Sequence, residues 1–125
     1  MDCGFIKIPG YIMATPCLCA DLSIEGNVSQ RFYLRIDTGA DITSVPSHLY
    51  RFLSKVDNGL RVQGLGESQT VNVYNTNLRL FDNDNLIKSF DNIRVITMQA
   101  DVGLLGLDLL QYFSLLMENG RFILE

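Results

Sequence analysis

At 125 residues, with 47% apolar and 19% charged side chains, the chain is one globular domain's worth of sequence, too short for two cores and too apolar for a disordered chain. Fourteen acidic against ten basic residues leave a net charge of −4 with no lysine-arginine block, which disfavours nucleic acid as a partner. The one histidine, His48, would have to carry any histidine-based zinc site or Ser-His-Asp triad by itself.

Three cysteines come early in the chain. Cys17 and Cys19 share one face of a strand, which is poor disulfide geometry, and Cys3, Cys17 and Cys19 lack the paired spacing of a zinc knuckle. Reduced thiols in a reducing compartment are expected. No basic region precedes a long apolar run, and no apolar stretch reaches the roughly 20 residues of a spanning helix, so a soluble, cytoplasmic protein with no membrane partner is expected.

Gly10 is the first turn candidate. Leu18, Ala20, Leu22 and Ile24 then alternate with Cys19, Asp21 and Ser23, the period of a half-buried strand. Gly26-Asn27 marks a turn, and Arg31 to Ile36 is an aromatic and branched strand. Pro46-Ser47 opens a short helix predicted over Ser47 to Lys55, with Leu49, Phe52 and Leu53 on one side. Asp57-Asn58-Gly59 reads as a turn, Val71 to Tyr74 and Leu78 to Phe81 as strands, Asp82 to Asn85 as a solvated turn, and Ile93 to Thr97 as another strand. A second short helix is predicted over Asp108 to Phe113, with Asp108 as its cap. Neither helix is long enough to be stable alone, so both must pack on the sheet. Asn119-Gly120, between Leu115-Leu116-Met117 and Phe122-Ile123-Leu124, is a strong hairpin signal. Many short strands at close spacing predict an all-β domain, closed or sandwich-like.

The chemistry concentrates in Leu34 to Pro46. An apolar strand runs into Asp37, Thr38 and Gly39, turns through Ala40 and Asp41, and resumes as a second strand. The Asp37 carboxylate is thereby held on a tight loop, with Gly39 permitting close backbone approach. Downstream, Val102-Gly103-Leu104-Leu105-Gly106-Leu107-Asp108-Leu109-Leu110 is an apolar strand, a glycine and a helix start.

These two motifs, apolar-Asp-Thr-Gly-Ala-Asp and apolar-apolar-Gly-x-Asp-Leu-Leu, resemble those of the retropepsin-like aspartic proteases. The ending, Phe113 to Leu124, is most similar to the cellular and prokaryotic members, such as the protease domain of the DNA-damage-inducible ubiquitin-receptor proteins. The resemblance runs from Thr15 to Leu124. It implies a closed pepsin-like half domain and a homodimer in which each chain contributes Asp37 to one site. Length agrees: one Asp-Thr-Gly loop in 125 residues cannot place two such carboxylates together, whereas a symmetric dimer can. Peptide hydrolysis by water needs a base and an acid, and two carboxylates sharing a proton supply both without a metal or organic cofactor.

The resemblance further implies that Thr38 bonds across the two-fold axis, that Gly39 and Ala40 place backbone near an extended peptide substrate, and that Asp41 sits beside the cleft. A flap is expected over Leu60 to Val71, with Gly64, Leu65 and Gly66 at its tip, and Leu104 is expected to line the substrate cleft. Leu115 to Leu124 would contribute to the dimer interface or complete the chain's own core. Two positions depart from the pattern. Arg35 replaces an apolar residue and faces the same side as Asp37, where it either tunes the site or pairs with Asp41, Glu67 or Asp101. Leu107 replaces the arginine that retroviral members carry. His48 is expected to be structural. The leading function is an aspartic endopeptidase. The competing readings are a dimerisation or peptide-binding module of the same fold without turnover, and a processing protease of a larger polyprotein.

Overall fold

The computed structural model describes residues 2–8, 12–63 and 68–125. Among them the chain is built almost wholly of strands: β1 (Asp2–Ile6), β2 (Thr15–Ile24), β3 (Asn27–Val28), β4 (Phe32–Ile36), β5 (Ser44–Pro46), β6 (Ser54–Gln63), β7 (Ser68–Asp82), β8 (Asn85–Met98), β9 (Val102–Leu105), β10 (Leu115–Glu118) and β11 (Arg121–Leu124). A 3-10 helix, Ser47–Phe52, follows β5, and a single α-helical turn, α1 (Leu107–Leu110), follows β9.

The strands pair in the order β2, β4, β9, β5, β8, β7, and β7 returns to β2, so six of them close into a barrel. Closure follows from the alternation in β2. Leu18, Ala20 and Leu22 point inward and pack with Leu34 and Ile36 of β4, Val45 of β5, Leu78 and Leu80 of β7, Val95 of β8 and Leu105 of β9. Each leucine fully removed from water contributes about 2 kcal/mol. The seam between β2 and β7 carries one exception to the alternation. Asp21 is buried there because it faces Arg79 in register and accepts two hydrogen bonds from it, from Nε and Nη2, each 2.8 Å. A buried carboxylate is tolerable only with such a partner.

Outside the barrel, β10, β11 and β1 form a second, antiparallel run that joins the barrel through β1 and β2. The Asn119-Gly120 hairpin forms as the dipeptide predicts: both residues have positive φ, 50° and 72°, and Glu118 pairs with Arg121.

Several predicted elements change. Val71 to Tyr74 and Leu78 to Phe81 belong to the one long strand β7, because buried Thr76 satisfies its hydroxyl on the Phe52 carbonyl at 2.7 Å and keeps the polar stretch within the sheet. Asp57-Asn58-Gly59 is an irregularity inside β6 with Gly59 at φ 85°, where the register with β7 shifts. The helix predicted over Ser47 to Lys55 is a shorter 3-10 helix, broken by a non-helical Leu49 and followed by strand from Ser54; Leu49 still packs into the core. The second helix spans Leu107–Leu110 and ends in turns through Phe113. Gly10 lies outside the described residues. Among the described residues Cys3, Cys17 and Cys19 form no disulfide.

Candidate functional site

Strand β4 decides where Asp37 points. Phe32, Leu34 and Ile36 are buried in the barrel, so Tyr33, Arg35 and then Asp37 face outward on one side. Parallel pairing with β9 sets Leu104 beside Arg35 and leaves Val102 and Leu104 half-buried while Gly103 and Leu105 turn inward.

The loop after β4 is fastened to the β9–α1 segment at successive points. The Asp37 amide donates to the Leu105 carbonyl at 3.1 Å, the Leu107 amide to the Ala40 carbonyl at 2.8 Å, and the Asp108 amide to the Asp41 carbonyl at 3.2 Å. Within the loop the Gly39 amide donates to Asp37 Oδ1 at 2.9 Å, and the Ala40 amide to the Asp37 carbonyl at 3.3 Å. A Cβ on Gly39 would stand 3.2 Å from that same carboxylate oxygen, so the glycine is what lets the amide come close. Asp37 is half-buried, and among the described residues its Oδ2 has no hydrogen-bond partner. Thr38 is exposed, and its hydroxyl likewise makes no hydrogen bond among the described residues. Ala40 is half-buried and Asp41 exposed.

Beneath this loop lies a polar bridge that the sequence reading missed. Fully buried Thr43 donates its hydroxyl to Asp108 Oδ1 at 2.8 Å and its amide to Asp108 Oδ2 at 3.1 Å, while accepting the Gly106 amide on Oγ1 at 3.1 Å. Gly106, not Asp108, holds the helix cap position; the Asp108 carboxylate ties α1 to the chain after the Asp37 loop, and its Oδ1 also accepts the Leu109 amide of the first turn at 3.0 Å. Gly106 and Gly103 are required by contact. A Cβ on Gly106 would sit 2.8 Å from the Ile42 carbonyl carbon, and one on Gly103 would sit 2.3 Å from the Ser44 carbonyl oxygen. A glycine inside an apolar strand signals such close approach. The Thr43–Asp108 pair carries no local signal.

Arg35 lines a groove of about 450 Å³ with Ile12, Met13 and Thr15, on the same outward face as Asp37. Burial pushes the neighbouring Cys17 thiol above its ordinary 9.0, against lesser downward pulls from the Thr15 hydroxyl and the Arg35 charge. Asp41 borders a different groove, with Lys88, Phe90, Arg94 and Tyr112. The arms of the predicted flap form a ladder, Leu60 with Val71 through Gln63 with Ser68. Its tip residues Gly64, Leu65 and Gly66 lie outside the described residues. His48 is exposed on the 3-10 helix and borders a groove with Tyr50 and Phe52.

The apolar ending divides. Leu124 completes the core and Phe122 packs against it, whereas Leu115, Leu116 and Met117 of β10 are 38%, 49% and 76% exposed. Among the described residues no helix is long and apolar enough to cross a membrane.

No protein-family model matches the sequence, and no curated protein matches it. Solved structures do share its fold. A retropepsin-like aspartic protease from Rickettsia conorii is 18% identical with a TM-score of 0.57, over 97% of this chain and 90% of that one. The EIAV protease, solved with the inhibitor HBY-793, is 19% identical with a TM-score of 0.52, over 86% of this chain and 93% of that one. The chain thus has the closed all-β retropepsin fold.

Proposed function

We propose that this chain, with its retropepsin fold, is an aspartic endopeptidase that acts as a symmetric homodimer, with Asp37 of each protomer meeting at the two-fold axis. The observation that carries the reading is the Asp37-Thr38-Gly39 loop, fastened from below by β9 and α1 while Asp37 Oδ2 and the Thr38 hydroxyl make no hydrogen bond among the described residues. A second copy of the same loop supplies what each lacks: the opposed carboxylates share one proton, and the threonine hydroxyls bond across the axis.

In such a pair the ionised carboxylate takes a proton from water, whose oxygen attacks the peptide carbonyl carbon. The protonated partner gives its proton to the carbonyl oxygen, and a tetrahedral diol forms. Its collapse returns a proton to the leaving nitrogen and breaks the C–N bond. The attacking group is water, so no acyl-enzyme forms, and the pair needs no metal or organic cofactor. Fixing both acids on a rigid loop supplies the positioning that the reaction requires.

An extended peptide would lie across the axis beside Gly39, Ala40 and Asp41, with Arg35 and Leu104 toward its side chains. The β6–β7 hairpin, tipped by Gly64, Leu65 and Gly66, would close over it as a flap. The exposed apolar strand β10 offers the area for the second protomer. Cysteines outside any disulfide among the described residues fit a reducing, cytoplasmic setting.

Wild type and Asp37→Asn incubated with a peptide library from acidic to neutral pH test the reading. Cleavage by the wild type, reduced at least about a thousandfold in the variant, is expected. Peptide binding without cleavage by either would leave a binding module of this fold, and cleavage by both would place the chemistry elsewhere. Release of a larger precursor by the wild type would identify a processing protease.

A further inference from the structure

We infer that Arg35, with Ile12 and Met13, forms a subsite for an acidic substrate side chain beside the scissile bond. This rests on the proposed cleft, since the subsite is defined by its place next to Asp37. The geometry starts from β4: Arg35 and Asp37 are two residues apart on the outward face, so about 7 Å separates their attachment points. Arg35 is half-buried, and the groove it lines holds about 450 Å³, enough for one side chain of ordinary size.

The other lining residues define the chemistry. Ile12 and Met13 are 95% and 73% exposed, apolar side chains left to water immediately beside a cation. An aspartate or glutamate matches both parts: its methylene stem covers the apolar wall, and its carboxylate meets the guanidinium. Arginine presents five N–H donors in a planar fork, so it binds a carboxylate through two parallel hydrogen bonds even while holding another contact. Covering Ile12 and Met13 also displaces water, which strengthens the charge pair. A neutral amide of the same shape would forgo the charge, and a lysine would be repelled.

Charge elsewhere sharpens the inference. The whole chain carries −4, so its long-range field disfavours acidic peptides. Selection for an acidic side chain must therefore arise at short range, and a half-buried contact is screened by salt less than an exposed one. Because the proposed dimer has two Arg35 side chains, the preference extends to both sides of the cleaved bond.

The test uses pairs of non-cleavable reduced-amide peptides, identical except for Glu or Gln flanking the reduced bond. They are titrated into the Asp37→Asn protein, with and without Arg35→Leu or the shape-conserving Arg35→Gln. The Glu peptide should bind at least about tenfold more tightly than its Gln twin, and either substitution should erase the gap while sparing an all-apolar peptide. Equal binding of Glu and Gln peptides, a gap that survives both substitutions, or no binding of either peptide would overturn the subsite. Turnover is not needed for this readout. Binding with the expected gap, where the wild type never cleaves the ordinary amide counterparts of these peptides, would refute the protease reading and leave the acidic subsite standing.

Discussion

The loop at Asp37 and the strand β10 lie in the same fold and are finished to different degrees. Around Asp37 the amides of Asp37, Gly39 and Ala40 and the carbonyls of Asp37, Ala40 and Asp41 are bonded within the chain: β9 and α1 receive the loop, and Thr43 and Asp108 lock it from below. Among the described residues β10 pairs on one edge only, with β11, and all four of its residues are exposed. On the proposed reading, the contrast separates a loop held rigid within one chain from a strand left for a second chain to cover. Precision is built intramolecularly, where strand crossings and buried polar groups enforce it. Completion, in the proposed dimer, is left to a surface that a second copy can cover.

Substitutions in the two regions should therefore fail in different ways. The largest effect is expected at the strand crossing. Gly103→Ala forces a Cβ to within 2.3 Å of the Ser44 carbonyl oxygen, and the fold should lose about 3 kcal/mol or more, read as a fall of about 10 °C in melting temperature. An unchanged melting temperature would mean that the crossing gives way cheaply. Thr43→Val comes next. It leaves the Gly106 amide without its partner and takes one of two hydrogen bonds from Asp108 Oδ1, which keeps the Leu109 amide, at a cost of about 1–3 kcal/mol, and activity should fall along with stability. Loss of neither would show that the bridge is not what fixes the loop.

On the other side of the contrast, Leu116→Glu combined with Met117→Glu should leave unfolding of the single chain within about 0.5 kcal/mol of wild type. It should raise the dimer dissociation constant tenfold or more in sedimentation equilibrium, because it places like charges in the expected contact. Destabilisation of the chain itself would put β10 in the core and remove the contrast. The smallest effect concerns pH. Burial holds the Cys17 thiol above its ordinary 9.0, so the native state keeps a proton that the unfolded chain releases. The stability tied to that proton is complete below pH 9 and is lost as pH rises through the raised value. Urea midpoints should decline gently across that alkaline range, and less so in Cys17→Ala; identical slopes would remove Cys17 from the account.

What the sequence disclosed is what it states contiguously. The Asp37 loop, the Leu105-Gly106-Leu107-Asp108 motif and the Asn119-Gly120 hairpin each carry their signal within a few residues, and each forms. Relations across the chain were hidden. Thr43 and Asp108 are 65 positions apart, and Asp21 and Arg79 are 58 apart, so neither pairing leaves a local pattern. Residue chemistry also misled where one signal has two meanings. Asp57-Asn58-Gly59 suits a turn and a bulge equally, and Thr76 reads as a break until its hydroxyl finds a buried carbonyl. Asp108 looked like a cap because an acid at a helix start usually is one; Gly106 holds the cap position, and the Asp108 carboxylate serves Thr43 as well as the Leu109 amide of the first turn.

The central claim is that one working site needs Asp37 from two chains, and subunit mixing tests it most directly. At fixed total protein, wild type is blended with increasing Asp37→Asn, allowed to exchange subunits, and assayed on a cleavable peptide. The account predicts that activity falls with the square of the wild-type fraction, because only pairs of wild-type chains hold two carboxylates. A decline in simple proportion to that fraction would mean that each chain holds a complete site, and would contradict it.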